Sequence, residues 1–162
     1  MAALAMPQGG HTAAAEKLAA GLDKDFPLDT LVQRFWLPAI RAAIGLERKN
    51  PGRALELLQV TKDIELGPSR LIVVHLRGEA YLMRHDGNNP AAEFQKFIHR
   101  RTVVMNQVWG ALAHLGLAQA YAMQGDTTKS RAAYQDFLTL SKDADPNIPV
   151  LQQAKAEYGE LR

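Results

Sequence analysis

Two stretches, LRGEAYLMRHDGNNPAAEFQKF (residues 76–97) and LAQAYAMQGDTTKSRAAYQDF (residues 117–137), are one pattern written twice. With Tyr81 set on Tyr121, Gly78 meets Ala118, Asp86 meets Asp126, Pro90 meets Ser130, Phe94 meets Tyr134 and Phe97 meets Phe137, without a gap. An internal period of this size belongs to stacked helical hairpins, in which each unit buries its apolar face against the next. Such stacks build binding surfaces rather than reaction centres. The repeat therefore bears on function as well as on fold.

The echo continues toward the N-terminus in weaker form. Taking Pro90 and Ser130 as reference points, the equivalent positions upstream are Ala54 and Ala15, at intervals of 39, 36 and 40 residues. Nine residues before each reference stand Met6, Gly45, Tyr81 and Tyr121; twelve before stand Ala3, Ala42, Gly78 and Ala118, all small. Four after stand Ala19, Leu58, Phe94 and Tyr134; seven after stand Leu22, Thr61, Phe97 and Phe137. Small residues recur where helices must approach closely, and bulky apolar ones recur at the i, i+3, i+4 spacing of a packing face.

This register resembles the tetratricopeptide repeat, whose consensus is W-x2-L-G-x2-Y, then A-x3-F, then P, over about 34 residues. The last unit matches best, with Leu117, Ala118, Tyr121, the Gly125-Asp126 turn, Tyr134 and Phe137. The preceding unit supplies Gly78, Tyr81, Phe94 and Phe97, but carries Pro90 where the family has alanine. A proline there belongs in the first turn of a helix, where its missing N–H costs little. The resemblance covers roughly residues 2–142, and intervals longer than the family's predict longer loops between repeats. It implies one all-α domain: a right-handed superhelix of antiparallel helix hairpins with a C-terminal capping helix. Residues 1–27 would form a partial repeat, 29–66, 69–104 and 108–142 full repeats, and 147–162 the cap.

A narrower likeness lies in FPLDTLVQRFWLPAIRAAI (residues 26–44), RGEAYL (77–82) and AAYQDFLTLSKDADPNIPVLQQAKAEY (132–158). These look like the repeat region behind the catalytic domain in a group of bacterial serine/threonine protein kinases. Similar repeats follow winged-helix DNA-binding domains in bacterial regulators. Neither partner module is visible in this chain, so the likeness implies the regulatory or scaffolding part of a signalling protein.

Composition agrees with a compact domain. A chain of 162 residues can bury roughly 70% of its unfolded surface, enough for a core without staples. With no cysteine, disulfides, thiolate catalysis and cysteine-ligated zinc are excluded. A net charge of +2 implies neither a nucleic-acid nor a membrane partner. No run approaches the length of a membrane-spanning helix, and MAALAMPQGG lacks the basic and apolar regions of a signal peptide. The expected location is the cytoplasm. The first repeat begins close to Met1 without a cap of its own, which reads as the tail of a longer protein rather than a natural short start.

Local signals place the helices. Ala13 to Lys24 reads as a helix ended by Phe26-Pro27, and Asp29 or Thr30 can cap the next, which runs to about Arg48 with Pro38 kinking or restarting it. Asn50-Pro51 begins a short helix to Val60, and a long apolar helix spans about Arg70 to Arg84. Asn89 caps a helix ending near Arg100; further helices are predicted at 108–124, 127–141 and 149–161. In the last, Leu151, Ala154, Tyr158 and Leu161 form an apolar stripe, while Gln153, Lys155, Glu157 and Glu160 face out, as a solenoid cap requires.

Catalytic candidates are weak. Ser69 in Gly67-Pro68-Ser69 lacks the second glycine and the preceding strand of a nucleophile elbow, and reads as a helix cap. His75 and Glu79 stand one turn apart, but no second histidine completes a metal motif, so they read as a polar pair lining a groove. His99-Arg100-Arg101 lacks the aspartate and asparagine of a kinase catalytic loop; with Lys96 it forms a basic cluster suited to a helix C-terminus. Trp36 and Trp109 read as packing between repeats, and Met83, Met105 and Met123 as core filling or adaptable contacts.

Ligands of the resembled family lie in the concave groove formed by the first helix of each hairpin. Carried over by position, that groove would hold Trp36, Ala39, Ala43 and Leu46; His75, Glu79, Leu82 and Met83; Leu115, Gln119, Ala122 and Met123. One subtype clamps a chain-terminal carboxylate with lysines and asparagines, but Ala43, Glu79 and Gln119 stand where asparagine is wanted and no lysine is near. An apolar groove with a few amides and one acid suits an amphipathic helix or an extended apolar peptide. The resemblance thus implies a non-catalytic protein-binding module without cofactor or metal. The alternatives are self-association through the first repeat, or the repeat part of a winged-helix transcriptional regulator.

Overall fold

The structure is a computed structural model that describes residues 11–65, 71–86, 89–99 and 108–161. Within them the chain is helical, without a strand. The helices are α1 (Thr12–Asp25), α2 (Leu37–Glu47), α3 (Pro51–Leu58), α4 (Ile72–Met83), α5 (Asn89–Ile98), α6 (Val108–Met123), α7 (Thr127–Leu140) and α8 (Pro149–Glu160). A 3₁₀ turn, Gln59–Thr61, extends α3. A π-helical turn, Val32–Trp36, leads into α2.

That π turn is where Pro38 acts. Asp29 Oδ1 accepts the Val32 N–H at 2.8 Å and starts the segment. The Leu37 N–H then reaches back to the Val32 carbonyl, one residue further than in an α-helix. Pro38 has no N–H to donate, so a widened turn before it avoids part of the mismatch.

The three hairpin turns share one backbone device. The N–H groups of Asn50, Asp86 and Asp126 donate to the carbonyls of Gly45, Tyr81 and Tyr121, at 2.8, 3.1 and 3.0 Å. The residue before each, Lys49, His85 or Gly125, takes a positive φ of 56°, 53° or 75°. This is the left-handed helix stop that usually recruits glycine. The same three Asx side chains then accept the N–H of Arg53, Asn89 and Lys129 at 3.1, 3.4 and 3.0 Å, opening the second helix. Asn89 is therefore not the cap expected of it. It is the first residue of α5, and Asp86 caps it.

Equivalent positions occupy equivalent surroundings. Ala15, Ala54, Pro90 and Ser130 are all buried, as are Ala19, Leu58, Phe94 and Tyr134 four residues on. Tyr81 and Tyr121 are both half-buried. Pro90 is the second residue of α5, where no helical N–H is needed. Ser130 Oγ donates to the Ala118 carbonyl at 2.8 Å, satisfying a buried hydroxyl and holding α7 against α6. Helices pair as α2 with α3, α4 with α5 and α6 with α7; α3 also packs on α4, and α5 on α6. The leading helices α2, α4 and α6 in turn touch one another. They lie side by side.

Phe94 of α5 is the wedge between two of these units. A Cβ on Gly78 of α4 would lie 2.4 Å from its Cζ, and a Cβ on Gly116 of α6 would lie 2.4 Å from both Cζ and Cε2. Both glycines face one ring that is almost fully buried. Only glycine leaves that space.

A buried ion cluster braces the joint between α3 and the next hairpin. The Arg77 guanidinium contacts Glu65 and, at 3.1 Å, Glu93, and donates to Thr61 Oγ1 at 3.3 Å. Lys96 Nζ donates to the same two carboxylates at 3.1 and 2.9 Å. Burial alone would lower the Arg77 pKa, but Glu93 and Glu65 more than offset this and raise it. Lys96, expected in a basic cluster with His99, is thus engaged in an ion pair; Arg100 and Arg101 lie outside the described residues.

Gly78→Ala and Gly116→Ala are each expected to lower the unfolding free energy by about 1–3 kcal/mol through overpacking against Phe94. Gly21→Ala, whose new methyl group meets nothing within 4 Å, is expected to raise it by about 0.5–1 kcal/mol through helix propensity. Urea denaturation monitored by circular dichroism measures both. Equal effects in the two classes would contradict the wedge.

Candidate functional site

The leading helices enclose a groove of about 610 Å³. Helix α2 supplies Ala43 and Leu46, with Glu47 and Lys49 at its end; α4 supplies His75, Leu76, Glu79, Leu82 and Met83. Helix α6 supplies Trp109, Leu112, Leu115, Gly116 and Gln119, Phe94 reaches in from α5, and α8 adds Val150 and Gln153. Spacings such as 75, 79, 82 and 112, 115, 119 put one side of each helix on the same cavity.

One corner concentrates the polarity. His75 is only 5% exposed, yet it borders the groove. Its Nε2 lies 3.1 Å from Glu79 Oε1, and its Nδ1 has no partner. The imidazole also lies 4.9 Å, centroid to centroid, from Trp109 and 5.8 Å from Phe94. Aromatic walls and a carboxylate thus share one corner of the groove.

Helix α8 closes the other end through Glu157. That carboxylate accepts Gln119 Nε2 at 3.1 and 3.3 Å, the Tyr134 hydroxyl at 2.8 Å and Gln153 Nε2 at 2.7 Å. Burial pushes the Tyr134 hydroxyl above its ordinary pKa, and the neighbouring Glu157 raises it further. Glu157 therefore does not face out as the cap pattern predicts, whereas Gln153 stays exposed at the groove rim. Glu157 turns inward because Gln119 and Tyr134 offer donors that water would otherwise have to satisfy.

Of the residues expected in a groove, Ala43, Leu46, His75, Glu79, Leu82, Met83, Leu115 and Gln119 come together around this one. Trp36, Ala39, Ala122 and Met123 do not border it. Trp36 sits in the π turn, offset by one residue from the α-helical register, and its ring packs edge-on against Phe35 at 4.9 Å. Ala39 is fully buried, and Met123 lies exposed at the end of α6. Ser69 and Met105 lie outside the described residues. Lys49 corrects the expectation that no lysine is near: its left-handed backbone at the helix stop accompanies a place on the groove rim. Trp109 both packs between repeats and lines the groove. Val150 was not anticipated, and no repeat position marks it.

A second cavity of about 410 Å³ between α1, α2 and α3 is bordered by Arg41, Arg48 and Arg53. Each already pairs with a carboxylate, Asp23, Glu16 and Glu56 respectively, at 2.7–2.9 Å. Among the described residues no three His, Asp or Glu side chains stand close enough to hold a metal ion. No helix among them is long and apolar enough to cross a membrane. Compared with protein-family models, curated proteins and solved structures, the chain matches none.

Tyr134→Phe removes one of the hydrogen bonds that hold Glu157. It is expected to loosen α8 by about 1 kcal/mol, seen as roughly fivefold faster amide exchange in α8 with α4 unaffected. Unchanged α8 exchange would show that Glu157 does not anchor the helix.

Proposed function

We propose that the chain is a non-catalytic, tetratricopeptide-like interaction module whose groove receives a largely apolar segment of a partner protein. The observation that carries this reading is the alignment of α2, α4 and α6. Together they line one trough, with Leu82 and Leu112 half-buried at its surface and Ala43, Leu46 and Leu115 buried beneath them. A concave cleft walled largely by apolar side chains with a few polar groups is a usual mark of a recognition site. The likeness to repeats behind bacterial serine/threonine kinases supports a regulatory role, in which the groove brings a partner to an effector domain. Random-peptide display on the immobilised protein is expected to enrich apolar-rich sequences. These should lose at least about tenfold in affinity, on the order of 1.4 kcal/mol, to Leu112→Glu but not to Leu140→Glu on an exposed site outside the groove. Selection that enriches nothing, or sequences indifferent to Leu112→Glu, contradicts the reading.

A second reading, self-association, is favoured by the segment joining α1 to α2. Leu28 is 94% exposed and Phe26 48%, with Leu18 and Leu31 also exposed. Light scattering is expected to show a species of about twice 17.8 kDa at high concentration that Leu28→Lys returns to monomer. A strict monomer rules this reading out.

A further inference from the structure

We infer that the segment entering this groove carries a basic residue, lysine or arginine, whose cation is received at the His75–Glu79–Trp109 corner. The inference rests on the groove reading above and adds a chemical class to it. Three observations support a cation there. Glu79 borders the groove with a side chain 37% exposed and His75 as its partner, so its carboxylate keeps room for a second donor. His75, 95% buried, backs the Glu79 carboxylate with its Nε2 3.1 Å from Oε1, which leaves the exposed side of that carboxylate to a ligand. Finally, Trp109, its ring 4.9 Å from that of His75, lines the same groove as Glu79, a combination that favours a cation with an alkyl stem.

The charge balance points the same way. The whole chain carries a net +2, yet the charged residues bordering the groove are Glu47, Glu79 and Lys49. Glu157 adds a further carboxylate behind Gln119 and Gln153. A locally acidic trough in a basic chain repels an acidic segment and attracts a basic one. The apolar walls around it take the stem of the basic residue and its hydrophobic neighbours. The occupant is thus an apolar segment with an embedded lysine or arginine, not one ending in a free carboxylate at this corner.

The test uses three six-carbon probes, n-hexylammonium, n-hexanol and n-hexanoate, titrated into the ¹⁵N-labelled chain. The two indole N–H signals are the reporters: Trp109 borders the groove and Trp36 does not. Hexylammonium is expected to shift Trp109 saturably, binding about fivefold tighter than hexanol, with hexanoate weakest and Trp36 unmoved. Glu79→Gln should remove the preference of ammonium over alcohol, while Glu56→Gln outside the groove should leave it intact. Hexanol and hexylammonium binding equally would overturn the cation site while leaving an apolar groove standing. Tightest binding by hexanoate would assign the corner to an anion steered by Lys49, and absence of any Trp109 shift would also overturn the proposal.

Discussion

The groove depends on one aromatic ring held between two glycines. Phe94 leaves no room for a Cβ on Gly78 or on Gly116, so α4 and α6 each approach α5 with a bare backbone face. A glycine inside a helix costs roughly 1 kcal/mol relative to alanine. Burying a phenylalanine side chain returns about 2–3 kcal/mol, so the wedge offsets both glycines. Its geometric effect matters more. By drawing α4 and α6 onto the same ring it brings His75 and Trp109 within 4.9 Å of each other, centroid to centroid.

Polar devices then set direction where apolar packing cannot. The turn at Asn50, Asp86 and Asp126 stops one helix and starts the next with the same bonds each time. The cluster of Arg77, Glu65, Glu93 and Lys96 joins the residues after α3 to α4 and α5. It holds two positive and two negative groups, and Arg77 Nε is its one unpartnered buried donor. Such a cluster contributes little net stability against an apolar replacement, but removing one member would strand the others. It makes the joint intolerant of partial change.

Much of this was legible from residue order. The period places Ala54, Pro90 and Ser130 at buried contacts, and it places Phe94, Tyr134 and Phe137 in the core. Helix type followed from spacing, since apolar residues at i, i+3 and i+4 have one physical solution. Two classes of feature were hidden. The first is backbone conformation without its usual residue: Lys49 and His85 take left-handed angles that only Gly125 advertises. The second is long-range polar pairing. Glu65, Arg77 and Glu93 each read as ordinary helix-surface charges, and nothing local marks them as mutual partners. Glu157 escaped for the same reason, because its donors Gln119 and Tyr134 lie on other helices. Trp36 went astray because a π turn changes the register that the repeat spacing assumes.

The nesting of Phe94 against both helices is observable in solution. A nuclear Overhauser spectrum of the chain with labelled phenylalanine and glycine should show cross-peaks from the Phe94 ring to the α-protons of both Gly78 and Gly116. Those α-protons should also carry ring-current shifts. Cross-peaks to Gly78 alone, with Gly116 at ordinary glycine positions, would mean that the hairpins fold singly and that no continuous groove exists.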